Sequence, residues 1–341
     1  MQPHKGLYFI RGEGMENKIK IGIAGYGNLG KGVEKAMKES PDMKLIGVFT
    51  RRNPDEVKIC TEGAEVLPAA CLTEPDRLSQ RPDVLVICGG SAKDLPWQSP
   101  MYAEHYNIVD SFDNHAIIYE HFKAVDTAAK KAGTTAIIGA GWDPGLFSYN
   151  RVMAECVMPE GKTYTFWGRG ISQGHSDAIR SIKGVTDARQ YTIPNAALLE
   201  EIKKGKVFTA LSPEKRHERE CFVVTEKWAD REEIKKEIIN MPDYFSGYKT
   251  RVNFISDEEL REKHGEMPHG GTVIKKNEAG TYEFSLKLKS NPEFTASVLT
   301  AYARAAYRIS AEGGRGCRTI FDVPLTYISP ISHEEMIKNF L

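Results

Sequence analysis

A chain of 341 residues is longer than one hydrophobic core readily grows, so two domains are expected. Its 46 basic and 46 acidic residues cancel, with no long run of either sign, which argues against nucleic acid or an anionic membrane surface as a partner. The apolar runs are strand-sized, far short of the roughly 20 residues of a membrane-spanning helix, and six scattered cysteines without a CxxC or a suitably spaced histidine predict reduced thiols and no metal.

Ahead of Met15 the string MQPHKGLYFIRGEG holds one apolar cluster, Leu7 to Ile10, too short for a signal peptide and followed by no cleavage pattern. Residues 1–14 read as a disordered extension or an upstream start, and 1–17 as an N-terminal extension. From Lys18 the pattern runs strand (18–24), glycine turn, helix (28–40, with Leu29, Val33, Ala36 and Met37 at helical spacing) and strand (45–50). Strands follow at 83–88, 107–110 and 135–139, with helices at 101–106 and 115–132 between them. This alternation predicts a parallel, doubly wound sheet, an α/β Rossmann dinucleotide-binding domain over 18–142. After about Gly141 period-two segments appear at 162–167, 188–193, 221–225, 248–255, 272–275 and 282–289, with helices at 196–204, 231–241 and 292–312. A mixed or antiparallel sheet with one wet face is expected, hence a second α+β substrate and dimerisation domain over 143–300. Residues 301–341 then form a C-terminal segment packing back on the first domain.

Gly25-Tyr26-Gly27-Asn28-Leu29-Gly30 is GxGxxG set between a strand and a helix. In that context the first glycine permits the tight turn, the second lets backbone approach a pyrophosphate, and the third lets helix and strand pack closely. A domain specific for NAD places an acid at the end of its second strand; here Phe49-Thr50-Arg51-Arg52 stands there. Paired guanidiniums suit a 2′-phosphate, which points to NADP. Cys88-Gly89-Gly90-Ser91, ending the third strand, offers small residues where the cofactor crosses the sheet.

The second half carries GWDPG (141–145), FWGRGISQGHSD (166–177), MPDYF (241–245), MPHGG (267–271) and NPEFTAS (291–297). Together with GYGNLG, FTRR and VDSFDNH (109–115), these strings closely resemble the meso-diaminopimelate dehydrogenase family, from about Lys18 to the C-terminal region. The resemblance implies a cytoplasmic, homodimeric, NADP-dependent enzyme of lysine biosynthesis. It would reversibly deaminate the D-configured carbon of meso-2,6-diaminopimelate to L-2-amino-6-oxopimelate, with ammonia and NADPH. It also implies that Asp113, Trp142 and Asp143 meet the reacting end, the two aspartates as the catalytic candidates. Trp167, Thr192, Arg219, His269 and Asn291 would address the substrate, Arg216 being the alternative to Arg219 because the preceding loop, 205–217, is where length variation is expected. The cofactor side takes in Ala92, and Ser111 and Phe112 of VDSFDNH.

The chemistry agrees in kind, since a substrate with two ammonium groups and two carboxylates needs carboxylate acceptors as well as cationic or hydroxyl donors. Either Asp113 or Asp143 suits the water that attacks the imine. Each residue also has a plainer role. Asp143-Pro144 and Asn291-Pro292 make good helix caps, His269 a turn residue, Trp142 and Trp167 core; His175 and Asp177 belong to a pocket loop or to a helix starting at Ser176. Two other readings stand beside this one. A dihydrodipicolinate- or homoserine-type reductase is one, although no two of the nine histidines are adjacent; a catalytically silent NADP-binding sensor is the other.

Overall fold

The computed structural model describes residues 18–341 other than 209 and 243, so the extension expected over 1–17 lies outside the described residues. Two compact units emerge: one runs to Tyr149 and resumes over Pro292–Leu341, and the other is Asn150–Asn291.

The first unit opens with β1 (Ile19–Ala24), α1 (Asn28–Met37), β2 (Met43–Thr50), β3 (Glu65–Pro68), β4 (Val84–Ile87), α2 (Leu95–Ala103), β5 (Asn107–Asp110), α3 (Ile118–Ala132), β6 (Thr135–Ile137) and the start of α4 (Leu146–Val157). Its central strands are largely apolar and buried because both faces of the sheet are covered. Val84 and Val86 pack in one cluster with Val33 and Met37 of α1, while Leu85 and Ile87 pack in another with Tyr102 and Ala103 of α2 and Val125 and Ala129 of α3. Helix α2 begins six residues before the expected 101–106; Pro96 in its first turn suits a helix start, and Pro100 inside it hid the pattern.

The second unit contains β7 (Lys162–Trp167), β8 (Gly170–Ile171), α5 (Gln173–Arg180), β9 (Val185–Pro194), α6 (Ala196–Lys203), α7 (Pro213–Arg216), β10 (His217–Thr225), α8 (Arg231–Asn240), β11 (Thr250–Phe254), α9 (Asp257–His264), β12 (His269–Asn277) and β13 (Gly280–Leu288). Rather than one sheet it has two: a four-stranded sheet in the order β11-β10-β9-β8, parallel only between β10 and β11, and an antiparallel three-stranded sheet in the order β13-β12-β7. Ile179 on α5, Ile182 just past its end, and Ile234 and Ile238 on α8 bury against Ala188, Cys221 and Val223 of the larger sheet. Ser172 caps α5 by accepting from the His175 N–H, so this helix starts three residues before the Ser176 start considered above.

The chain returns to the first unit through α10 (Asn291–Ala311), β14 (Gly316–Arg318), α11 (Leu325–Ile328) and α12 (His333–Phe340). β14 pairs in parallel with β6, completing a seven-stranded parallel sheet in the order β14-β6-β5-β4-β1-β2-β3. The expected boundaries of 143–300 therefore shift at both edges. α10 is one uninterrupted helix, and Ala296, Leu299, Tyr302, Ala303 and Ala306 along it belong to the first unit's core, so nothing divides the chain near 300. The result is a Rossmann domain with a separate α+β domain. Among the described residues no helix is long and apolar enough to cross a membrane, and no group of His, Cys, Asp and Glu is arranged to hold a metal ion.

Candidate active site

A cleft at the carboxyl ends of β1, β2 and β4 is lined by Gly25, Tyr26, Gly27, Thr50, Arg51, Arg52, Gly89 and Gly90, together with Asp94, Gln98 and Tyr102. This is where a doubly wound sheet binds its ligand. Each glycine of the motif has its own reason. Gly25 has φ +94°, and a Cβ on Gly30 would lie 2.2 Å from the Gly25 carbonyl oxygen, so turn and helix close against each other. A Cβ on Gly27 would meet nothing within 4 Å, leaving open space at the N-terminus of α1, the end of a helix whose free backbone N–H groups suit an anion. Tyr26 turns its hydroxyl to Glu34 of α1, and Glu34 also accepts from the N–H of Cys60 and Thr61 at 2.7 Å each. Burial raises the Glu34 carboxyl, but these donors outweigh it and hold the group below its usual range.

The two arginines after β2 are committed differently. Arg51 forms a two-pronged pair with Asp94 (2.8 and 3.0 Å), while Arg52 donates to the Tyr26 carbonyl at 2.5 Å, and its own N–H is accepted by Thr50 Oγ1 at 3.1 Å. Asp94 also accepts from Gly90 N–H (2.9 Å); burial raises its carboxyl, and Arg51 and Gly90 together bring it below the ordinary range. Asn28, Leu29, Ser91, Ala92, Ser111 and Phe112 lie outside the lining of this cleft. Ser91 instead accepts from the Asp113 N–H at 2.9 Å, and the fully buried Phe112 ring stacks on His121.

Asp113 is exposed, early in the loop after β5, and Asp143 is half-buried, late in the loop between β6 and α4. Helix α4 begins at Leu146, three residues after Asp143. Trp142 is buried edge-on against Phe147 at 5.2 Å. Asn291-Pro292 does open a helix, α10.

In the second unit, strand register gathers residues that are far apart in sequence. Thr192 on β9 pairs with Arg219 on β10 and, on its other side, with Gly170 on β8. A Cβ on Gly170 would fall 2.4 Å from the His269 ring, so this glycine is what lets β12 approach. Gly271 on β12 pairs with Trp167 on β7, and the Asn291 N–H donates to the Met267 carbonyl at 2.9 Å. Arg219 is 7% exposed; it donates to Thr192 Oγ1 at 2.6 Å and lies 4.1 Å over the Tyr248 ring. Its Nε is buried without a hydrogen-bond partner, so its donors are not exhausted. Arg216 instead donates to the Thr165 carbonyl and covers Trp167.

His217 was not foreseen. Its Nε2 accepts the Trp167 N–H at 2.8 Å and its Nδ1 faces the Pro213 carbonyl at 3.1 Å, which fixes a neutral tautomer with the proton on Nδ1. Burial, with the nearby Arg219 and Arg216 charges, pushes it down to about 3 despite the Pro213 carbonyl. The ring stacks on Trp167 at 5.1 Å and so sets the indole. The signal was spacing: two residues before Arg219 on a strand, it shares Arg219's face. His175 is pushed to about 3 as well, by burial and the Arg219 charge, and touches Tyr244 and Phe245 edge-on.

Known proteins match this chain over both units. A family model for the diaminopimelic acid dehydrogenase C-terminal domain matches residues 141–290. The meso-diaminopimelate D-dehydrogenase of Acetivibrio thermocellus is 52% identical over 331 residues, 95% of this chain and 98% of that one. The solved structure of Corynebacterium glutamicum DAP dehydrogenase in complex with DAP is similar at a TM-score of 0.87 and 42% identity, covering 95% of this chain and 100% of that one. An engineered D-amino acid dehydrogenase bound to NADP+ reaches a TM-score of 0.83 at 41% identity, with the same coverage.

Proposed function

The chain belongs to the meso-diaminopimelate D-dehydrogenase family, and we infer from this its reaction: reversible, NADP-dependent oxidative deamination of the D-centre of meso-2,6-diaminopimelate to L-2-amino-6-oxopimelate, in lysine biosynthesis. The observation that carries the reading is identity of half the residues over nearly the whole length of both chains. The cleft fits the cofactor, with open space at Gly27 and Arg51 and Arg52 where an NAD enzyme keeps an acid. NADP supplies the hydride acceptor.

The remaining work falls to the side chains. Asp113 and Asp143 hold the reacting ammonium, one of them taking the proton that its nitrogen must lose before the hydride leaves. They also orient the water that attacks the resulting imine, and that water's proton goes to the departing ammonia. Trp142 and Trp167 exclude bulk water and, with His269 and Asn291, fix the substrate's orientation. Arg219, with Thr192 beside it, anchors the distal carboxylate through charge-assisted hydrogen bonds that burial strengthens. Arg219 rather than Arg216 is taken as the anchor because it is the more deeply buried of the two and stands beside the Thr192 hydroxyl; Arg216 also keeps a buried Nε without a hydrogen-bond partner. The same reading makes the protein a cytoplasmic homodimer.

Following NADPH absorbance after mixing enzyme, NADP and meso-diaminopimelate tests this. Steady NADPH formation is expected; cofactor binding without reduction would mean a silent NADP-binding protein.

A further inference from the structure

Asp110, the last residue of β5, is fully buried, and the reaction as described makes no use of it. Every lone pair it offers is nonetheless taken. Oδ1 accepts from the N–H of Phe112 (3.0 Å) and of Gly139 (3.1 Å), and Oδ2 accepts from Ser99 Oγ (2.6 Å) and His121 Nε2 (2.9 Å). Its backbone carbonyl accepts from Ala140 N–H at 2.9 Å. His121 Nε2 makes the fourth of these hydrogen bonds to the carboxyl.

The donors come from four segments: α2, α3, the loop after β5 and the loop after β6. Regular pairing between β5 and β6 stops at Val109 and Ile137. Beyond it the Asp110 side chain and carbonyl hold Gly139 and Ala140 in place of ladder bonds. The two loops tied to this carboxylate are those that deliver Asp113, three residues past Asp110, and Trp142 and Asp143, three and four past Gly139. His121 completes the clamp by stacking under Phe112, with ring centroids 4.0 Å apart and planes within 14°. For stability alone an apolar residue would serve at this position, since a buried carboxylate carries a desolvation penalty its partners must offset. What it adds is a fixed direction for two loops at once.

We propose that Asp110 and His121 are positioning residues that hold Asp113 and the Trp142-Asp143 turn in the geometry the deamination needs. The proposal rests on the roles given above to Asp113 and Asp143. An Asp110→Ala chain would strand four donors and need not fold, so the test uses His121. His121→Phe keeps a ring against Phe112 and removes the donor to Oδ2; His121→Gln restores an N–H there. In the full-length enzyme, NADP affinity, melting temperature, kcat and KM for meso-diaminopimelate are measured for both, with Asp113→Ala and Asp143→Ala alongside.

His121→Phe should lower kcat by tenfold or more, on the scale of about 10²-fold seen when a site shifts by an ångström. NADP affinity should stay near wild type, and His121→Gln should recover most of the rate. Wild-type kcat and KM in His121→Phe, even with a lower melting temperature, would overturn the proposal, as would a His121→Gln enzyme equally impaired. Were Asp113→Ala and Asp143→Ala both to turn over like wild type, the reading of the site would fail, and this proposal with it. If they are crippled while His121→Phe is not, positioning alone fails.

Discussion

The dinucleotide cleft and the polar cluster of the second unit present similar chemistry, cations beside hydroxyls, but are built on opposite plans. The cleft is made of three short continuous strings, each a loop at the carboxyl end of a neighbouring parallel strand. The cluster takes Trp167, Thr192, Arg219 and His269 from four strands and holds them together by register, so a slip of one residue in β9 or β10 would turn its contributions to the other face. Electrostatics differ as well. The Arg51 side chain is 62% exposed and screened by water and salt, whereas Arg219 is 7% exposed and feels its partners at low dielectric. On the proposed reading, one unit recognises phosphate with adaptable, solvated charge, and the other recognises an amino acid with charge that burial has fixed in place.

If that contrast is right, removing the buried cation should cost most. Arg219→Ala is expected to raise KM for meso-diaminopimelate roughly tenfold to a hundredfold, the range for losing a charged hydrogen bond, with a smaller effect on kcat. Wild-type steady-state kinetics would move the anchor to Arg216 or elsewhere. A milder loss is expected in the cleft: replacing Arg51 and Arg52 together by alanine should weaken NADP about tenfold, exposure discounting the pair, and leave NAD binding nearly unchanged. Equal losses for both cofactors in a binding titration would show that these arginines do not read the 2′-phosphate.

A last effect concerns stability rather than activity. His217 sits near 3 when folded and near 6.5 when unfolded, so between those values only the unfolded chain takes the proton. Its contribution is fully present above pH 6.5 and is lost as pH falls toward 3. Unfolding curves should therefore show a shallower acid decline in His217→Gln, by up to about 1.4 kcal/mol per pH unit. Superimposable pH slopes would mean that His217 is not held neutral.

Continuous strings were legible and registers were not. GxGxxG after a strand and FTRR at the end of the next mark the cleft directly, because Gly25, Gly27, Arg51 and Arg52 line it from two continuous strings. Asp94, which neutralises Arg51, escaped notice because the contact spans 43 residues. Helix α9, DEELREKH, buries only Leu260 and so shows no apolar stripe, although Ser256 and Glu259 carried the signature of a helix start. The same holds for α12, where Ser332 and Glu335 form a capping box. β14 is three residues long, too short for any period, and is a strand because β6 offers an edge. In the substrate cluster the residues were reached through family resemblance, whereas their arrangement depends on cross-strand neighbours that no local pattern encodes.

Most directly testable is the claim that handedness selects the reacting end. Both ends of diaminopimelate carry an ammonium and a carboxylate, so charge cannot tell them apart, and only the configuration that turns its hydrogen to the cofactor can react. The meso and L,L isomers are each supplied with NADP, and NADPH is followed together with the configuration of the surviving amino centre. The account predicts oxidation of the meso isomer at one carbon with an L centre surviving, and an L,L isomer that inhibits competitively without turning over. Comparable turnover of the L,L isomer, or a surviving D centre from the meso substrate, would contradict it.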